Sequence, residues 1–254
     1  LIMGTSQSTP GLNGNSPLIP SWADEVSDSP NEQPQPENRR FAGFKQSLGQ
    51  SIKNNSSTDL RKALGHYAKK STGGSATAVR RMGAVTRSGT QLFSLLSNGS
   101  ISIDGKIFNL NELNGLPYED AIDQIAGFLA TLDGDSEKIR IAMIEALSLA
   151  LEDMEEFNSE LINDDLLKLV MINYLTEAIF NQVLMDAGDA FNKADTYLQA
   201  IKAQNALHEL VKVIVDKNMT EKVGNSIQII DENQMLTIQR ETIREVFIEW
   251  ESYE

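Results

Sequence analysis

DDLLKLVMINYLTEAIFNQVLMDA, residues Asp164 to Ala187, decides how this chain folds. Leu166, Leu167, Val170, Met171, Tyr174, Leu175, Ile179, Val183 and Leu184 recur at helical spacing and cover nearly the whole circumference of a helix. Such a helix has no broad polar face to offer water and belongs at the centre of a bundle.

The flanking segments read as its amphipathic neighbours. Ser136 to Met154 turns Ile139, Met143, Ala146, Leu147 and Ala150 inward, and Pro117 to Leu132 opens on a proline at a first helical position. Thr196 to about Met219 is a further helix, and Leu236 to Tyr253 carries Ile243, Val246, Phe247 and Trp250. Nearer the start, Phe41, Phe44, Leu48 and Ile52 mark a helix from about Arg40 that Asn54 and Asn55 break. A second begins at the Ser57/Thr58 cap with Leu60, Leu64 and Tyr67, and Gly73-Gly74 ends it. A third runs from Ser75 to Asn98-Gly99 through Val79, Met82, Val85, Leu92, Phe93 and Leu96.

SISIDGKIFNL, residues 100 to 110, alternates apolar and polar around Asp104-Gly105 and predicts a short β-hairpin. Ser226-Ile227-Gln228-Ile229-Ile230 is expected to add a strand to it. No repeat of fixed period is visible, which argues against a solenoid. The expected fold class is mostly α, a helical bundle with a short β-hairpin and a flexible N-terminal tail.

Charge divides the chain into three. Residues 38–98 hold eleven basic side chains against Asp59 alone, whereas residues 1–37 hold five acids and no base and the remainder is strongly acidic, giving a net charge of -14. The expected organisation is a disordered Gly/Ser/Pro-rich tail (1–37), a basic helical segment (38–98) and an acidic helical domain (99–254). With no cysteine, disulfides and thiolate chemistry are excluded. No apolar run reaches the roughly 18 residues of a membrane span and the start lacks a secretory pattern, so a cytoplasmic protein is expected.

Catalytic signatures do not emerge. The sequence has no GxxxxGK[ST], GxGxxG, HExxH or GxSxG, and His66 and His208, its two histidines, read as ordinary structural or surface residues. No catalytic residue, metal site or cofactor is expected. Gly73-Gly74-Ser75, with Arg80 and Arg81 a turn later, admits an anion-binding reading and the plainer one of a helix end. Asp186 to Lys193 does not match an EF-hand and reads as a helix-end turn with solvated acids. The basic doublets, Arg61-Lys62 and Arg80-Arg81, are candidate anion or partner contacts. They suit a nucleic-acid backbone. The acidic remainder would repel nucleic acid, so docking on an acidic protein surface is the preferred reading.

MGTSQSTPGLNGNSPLIPSW, residues Met3 to Trp22, is too poor in apolar side chains to offset about 1–2 kcal/mol of backbone entropy per residue. It matches the short M-G-x-x-x-[ST] myristoylation pattern, yet one acyl chain beside an acidic tail holds a membrane poorly. Removal of Met3 would expose the Gly4 α-amine, a nucleophile with pKa near 8. Leu1 and Ile2 read as foreign to that start and mask Gly4 where they are retained.

These residues carry a resemblance. MGTS with its Gly/Ser run, Pro17-Leu18-Ile19-Pro20-Ser21-Trp22, Arg40-Phe41, Asp59-Leu60-Arg61-Lys62-Ala63-Leu64-Gly65-His66-Tyr67, Gly73-Gly74-Ser75 with Ala78, Arg80, Arg81 and Met82, Asp186-Ala187-Gly188-Asp189-Ala190-Phe191 and Glu249-Trp250-Glu251-Ser252-Tyr253-Glu254 together resemble the QatB family of bacterial Qat anti-phage systems. Residues 99 to 160 match it only loosely.

The resemblance implies a four-gene defence operon that also encodes an ATPase, a QueC-like enzyme (QatC) and a TatD-like nuclease. It further implies a non-enzymatic role in which the QueC-like partner joins a 7-deazaguanine carboxylate to the Gly4 α-amine. Gly4, Thr5 and Ser6 would then enter the partner's channel. Leu18, Ile19 and Trp22 would anchor outside it, although Trp22 equally suits packing on the chain's own helices. A nucleic-acid-binding adaptor that uses the basic helices is the alternative.

Overall fold

The computed structural model describes residues 17–20, 36–130, 135–224 and 226–253. The helix expected at the centre is there. It spans Asp164–Ala187 (here α7), opened by the Asn163 side chain, which accepts from the Leu166 amide, and ended by Gly188 at φ 53°. Val170, Met171, Tyr174, Leu175, Ile179 and Val183 are all buried along it.

Eight other α-helices surround it among the described residues: α1 (Ala42–Asn54), α2 (Ser57–His66), α3 (Ser75–Arg81), α4 (Gly83–Asn98), α5 (Tyr118–Leu129), α6 (Ser136–Leu151), α8 (Tyr197–Val223) and α9 (Glu232–Glu251). Helices α6, α8 and α4 pack along α7, and α9 crosses α2, α3, α4 and α8. One hydrophobic cluster runs from Phe41 to Trp250, so the basic helices and the acidic ones share a core. Tyr67 sits inside it between Phe44, Phe247 and Trp250, with ring centroids 4.8, 5.9 and 6.2 Å away.

The caps explain most boundaries. Ser56 opens α2 by accepting from the Asp59 amide, Thr196 opens α8, and Asp231 with Gln234 forms a capping box at α9. Asn55, at φ 49°, closes α1 in the left-handed region. The hairpin is β1 (Ser100–Ile103) paired antiparallel with β2 (Lys106–Asn109). Its turn residues Asp104 and Gly105 both have positive φ, 51° and 78°, as a two-residue turn matched to strand twist requires. Phe108 stacks on Phe128 of α5 at 4.7 Å and fixes the hairpin to the bundle.

Two expectations are corrected. The helix read as continuous from Ser75 to Asn98 breaks at Met82, whose φ and ψ of -95° and 19° leave helical values just before Gly83. Ser226 to Ile230 is a turn and adds no strand, since the sheet has two strands. Only Ile227 is buried there, Ile229 is 81% exposed, and the Ile230 amide folds back to the Ile227 carbonyl at 3.2 Å. A segment squeezed between the Gly224 cap of α8 and the Asp231 cap of α9 has no room to extend.

No helix among the described residues is long and apolar enough to cross a membrane.

Candidate functional site

Of the residues singled out on the arm, Gly4, Thr5, Ser6 and Trp22 lie outside the described residues, and Leu18 and Ile19 lie within them. Within the arm, residues 17–20 are a described stretch, and they pack on the body. Leu18 and Ile19 are each 4% exposed, packed on the body of their own chain. The physical reason is local. Two adjacent aliphatic side chains gain several kcal/mol together on burial, and Pro17 and Pro20 reduce the entropy lost on fixing the backbone between them.

Gly73 accommodates this strap. A Cβ at Gly73 would lie 2.9 Å from Leu18 Cδ1, and its φ of 79° is one that side-chain-bearing residues rarely adopt. The Arg40 guanidinium donates to the Pro17 carbonyl at 3.5 Å, while the Arg40 carbonyl accepts from Ser71 Oγ at 3.0 Å. Arg40 thereby ties the strap to the turn of π-helical geometry at Tyr67–Ser71.

A buried polar cluster lies behind Arg40. Asp186, near the end of α7, accepts from Arg81 at 2.9 Å, from the Tyr67 hydroxyl at 2.8 Å and from Gln182 at 3.1 Å. Gln182 in turn accepts from Lys138 at 2.9 Å, and Lys138 pairs with Asp135. Burial opposes the charge on Arg81, but the field of Asp186, aided by Tyr67 and the hydrogen bond, outweighs it and holds the guanidinium pKa above its ordinary value. Burial and the adjacent Asp186 carboxylate push the Tyr67 phenol well above its usual range. Asp186 is therefore a buried acid rather than the solvated one expected, and it is satisfied by three donors.

The basic doublets part company. Arg81 faces inward to Asp186, so its charge is met inside the protein rather than offered to an anion. Arg80 is half-buried on α3. Arg61 and Lys62 stay exposed on α2, with Arg61 5.6 Å from the centre of the Tyr253 ring. The anion-binding reading of Gly73-Gly74-Ser75 is answered by the chain itself, because the Ser75 amide donates to the Glu251 carboxylate at 2.6 Å. Lys45 reaches Asp189 at 3.4 Å and Lys69 reaches the Tyr253 carbonyl at 3.5 Å. The basic helices are docked in part on the protein's own acidic body.

The two histidines are far apart in role. His208 shares a 2.7 Å hydrogen bond with Glu177, which raises its pKa. His66 has its pKa lowered, first by burial and then by Lys70, Lys62 and Lys69. Among the described residues no group of three or more His, Cys, Asp or Glu side chains is placed to hold a metal ion.

Comparison with known proteins supplies the class. A family model described as Qat anti-phage system associated protein QatB matches residues 73–249. This helical protein is thus a component of an anti-phage defence system. It belongs to the QatB family. The matched span begins at Gly73, where the strap seats, and ends two residues before the end of α9. No curated protein and no solved structure matches the chain.

Proposed function

We propose that this protein is the non-catalytic substrate of a partner enzyme in its defence system. A QueC-like enzyme takes the leading residues into its channel and acylates the Gly4 α-amine with a 7-deazaguanine carboxylate. The chemistry balances simply. The carboxylate is first activated with ATP as an acyl-adenylate and pyrophosphate leaves. The free amine then attacks the carbonyl carbon, AMP leaves with the bonding electrons, and the amine surrenders a proton as the amide forms. Gly4 and the residues after it, Thr5 and Ser6, suit a narrow channel because a glycine tip has no side chain to obstruct close approach.

The strap carries this reading. Its burial against Gly73 and Arg40 fixes the root of the arm at Pro17. The backbone from Gly4 to Pro17 then reaches at most about 45 Å, which is enough to enter another protein's active site while the body stays outside. Trp22 lies beyond the strap, where it would reach a partner surface or the chain's own helices. Partners of the same system, an ATPase and a TatD-like nuclease, complete the expected assembly, and the protein would act in the cytoplasm without a membrane.

The discriminating experiment compares two chains under the same partner and precursor. One starts at Met3, so that methionine removal exposes Gly4; the other keeps Leu1 and Ile2. Modification of the first and not the second supports the reading. Equal modification of both shows that the Gly4 amine is not the acceptor.

A further inference from the structure

The cleft where the chain enters α1 has no role in the tail chemistry above. It is about 270 Å³ in volume and is lined by Glu37, Asn38, Arg39, Arg40, His66 and Lys70 together with Ala42 and Gly43. His66 lies flat enough over Gly43 that a Cβ there would meet its Nδ1 at 3.3 Å. Lys62 and Lys69 stand close enough to act on His66 together with Lys70. Around one small concavity, then, gather two arginines, a lysine and a histidine.

Three features set this apart from an ordinary solvated face. Arg39, Lys62 and Lys70 have no ion pair with any acid among the described residues, in a protein of net charge -14. Arg39 holds φ at 57° at the mouth of the cleft, a left-handed backbone that costs a bulky residue of order 1 kcal/mol or more. The space is below the roughly 300–1,000 Å³ of sites that enclose a whole organic ligand, and it suits a single compact group.

We infer that this cleft binds a phosphate group, borne by a nucleotide or by a nucleic-acid backbone. Arginine supplies planar paired donors that match phosphate oxygens, and lysine adds point charge. Glu37 is the one acid on its lining, so it opposes the ligand. Burial, then Lys70, Lys62 and Lys69, hold the His66 pKa below its ordinary value, and a phosphate placed beside the ring shifts it back upward. Lys70, Lys62 and Lys69 oppose a proton on the ring, and Glu37, Arg39 and Arg40 share the lining with His66.

The test follows the two histidine ring signals by NMR at constant ionic strength, with His208 as the internal reference. The probes are inorganic pyrophosphate, a nucleoside diphosphate, a ten-nucleotide single strand and a polyglutamate peptide. The expected result is a saturable shift of His66 alone, with its titration midpoint moved upward, by at least one phosphate probe and not by polyglutamate. A response to the diphosphate without the single strand assigns the nucleotide source, and the reverse assigns the backbone. Arg39→Gln with Lys70→Gln should weaken binding about tenfold or more, since charge-assisted contacts are lost. Glu37→Gln should tighten it. Equal shifts at His66 and His208, polyglutamate matching the phosphates, or no shift at millimolar pyrophosphate would each overturn the inference.

Discussion

Leu18 and Gly73 are fitted to each other: a methyl group added at Gly73 would sit 2.9 Å from the Leu18 side chain. Gly73→Ala should therefore act twice, through the strained φ of 79° and through displacement of the strap. The cost should be about 1–2 kcal/mol. Leu18→Asp should free the strap and forfeit the burial of the Leu18 side chain, about 1.5–3 kcal/mol. Limited proteolysis and thermal unfolding check both, with new cleavage expected near residues 17–20 and a lower melting temperature in each variant.

Asp186 holds Arg81, Tyr67 and Gln182 together inside the bundle. Removing its charge with Asp186→Asn leaves the Arg81 cation buried without compensation, which should cost about 3–5 kcal/mol. Tyr67→Phe removes one donor and should cost about 1–2 kcal/mol. Thermal unfolding should show the larger drop for Asp186→Asn, of order 10 °C for a protein of this size.

The end of the chain is clamped on α2. A Cβ on Gly65 would come 2.3 Å from the Tyr253 carbonyl oxygen, a backbone atom that a side-chain rotation cannot move. Gly65→Ala should lower stability by about 1–3 kcal/mol. The penalty should shrink when residues 252–254 are deleted, because the obstruction goes with them; an unchanged penalty would show that the contact is not its source.

His208 sets a pH dependence whose sign is fixed. Its hydrogen bond to Glu177 raises its folded-state pKa above the ordinary value near 6.5, so its contribution is fully present below that value. It is lost as pH climbs from about 6.5 through the raised pKa. Urea unfolding across pH 5 to 9 should show this decline in the native protein and a flatter profile for His208→Gln. His66, with its pKa lowered, contributes in the opposite sense and loses its share as pH falls.

Much of this architecture was legible because it is written locally. The all-round apolar pattern of Asp164 to Ala187 specified a central helix with correct ends, since Asn163 and Gly188 supply both caps. Asp104-Gly105 named the hairpin because few other pairs accept positive φ at both turn positions. What escaped depends on distant partners. Asp186 meets Tyr67 and Arg81 across more than a hundred residues of sequence, so nothing near it distinguishes a buried acid from a solvated one. The strap escaped for the same reason, because Leu18 and Ile19 form a two-residue apolar island whose burial is decided by the hollow at Gly73. Ile227, Ile229 and Ile230 carried strand-like composition, but the caps on either side left only a turn.

The most direct test of the acceptor role is the intact mass of a chain begun at Met3 and co-produced with an active QueC-like partner and its deazaguanine precursor. The expected spectrum shows the protein without methionine and heavier by one acylating deazaguanine, with fragmentation placing the addition on Gly4. An unaltered mass under those conditions, or an addition on any other residue, would contradict the account.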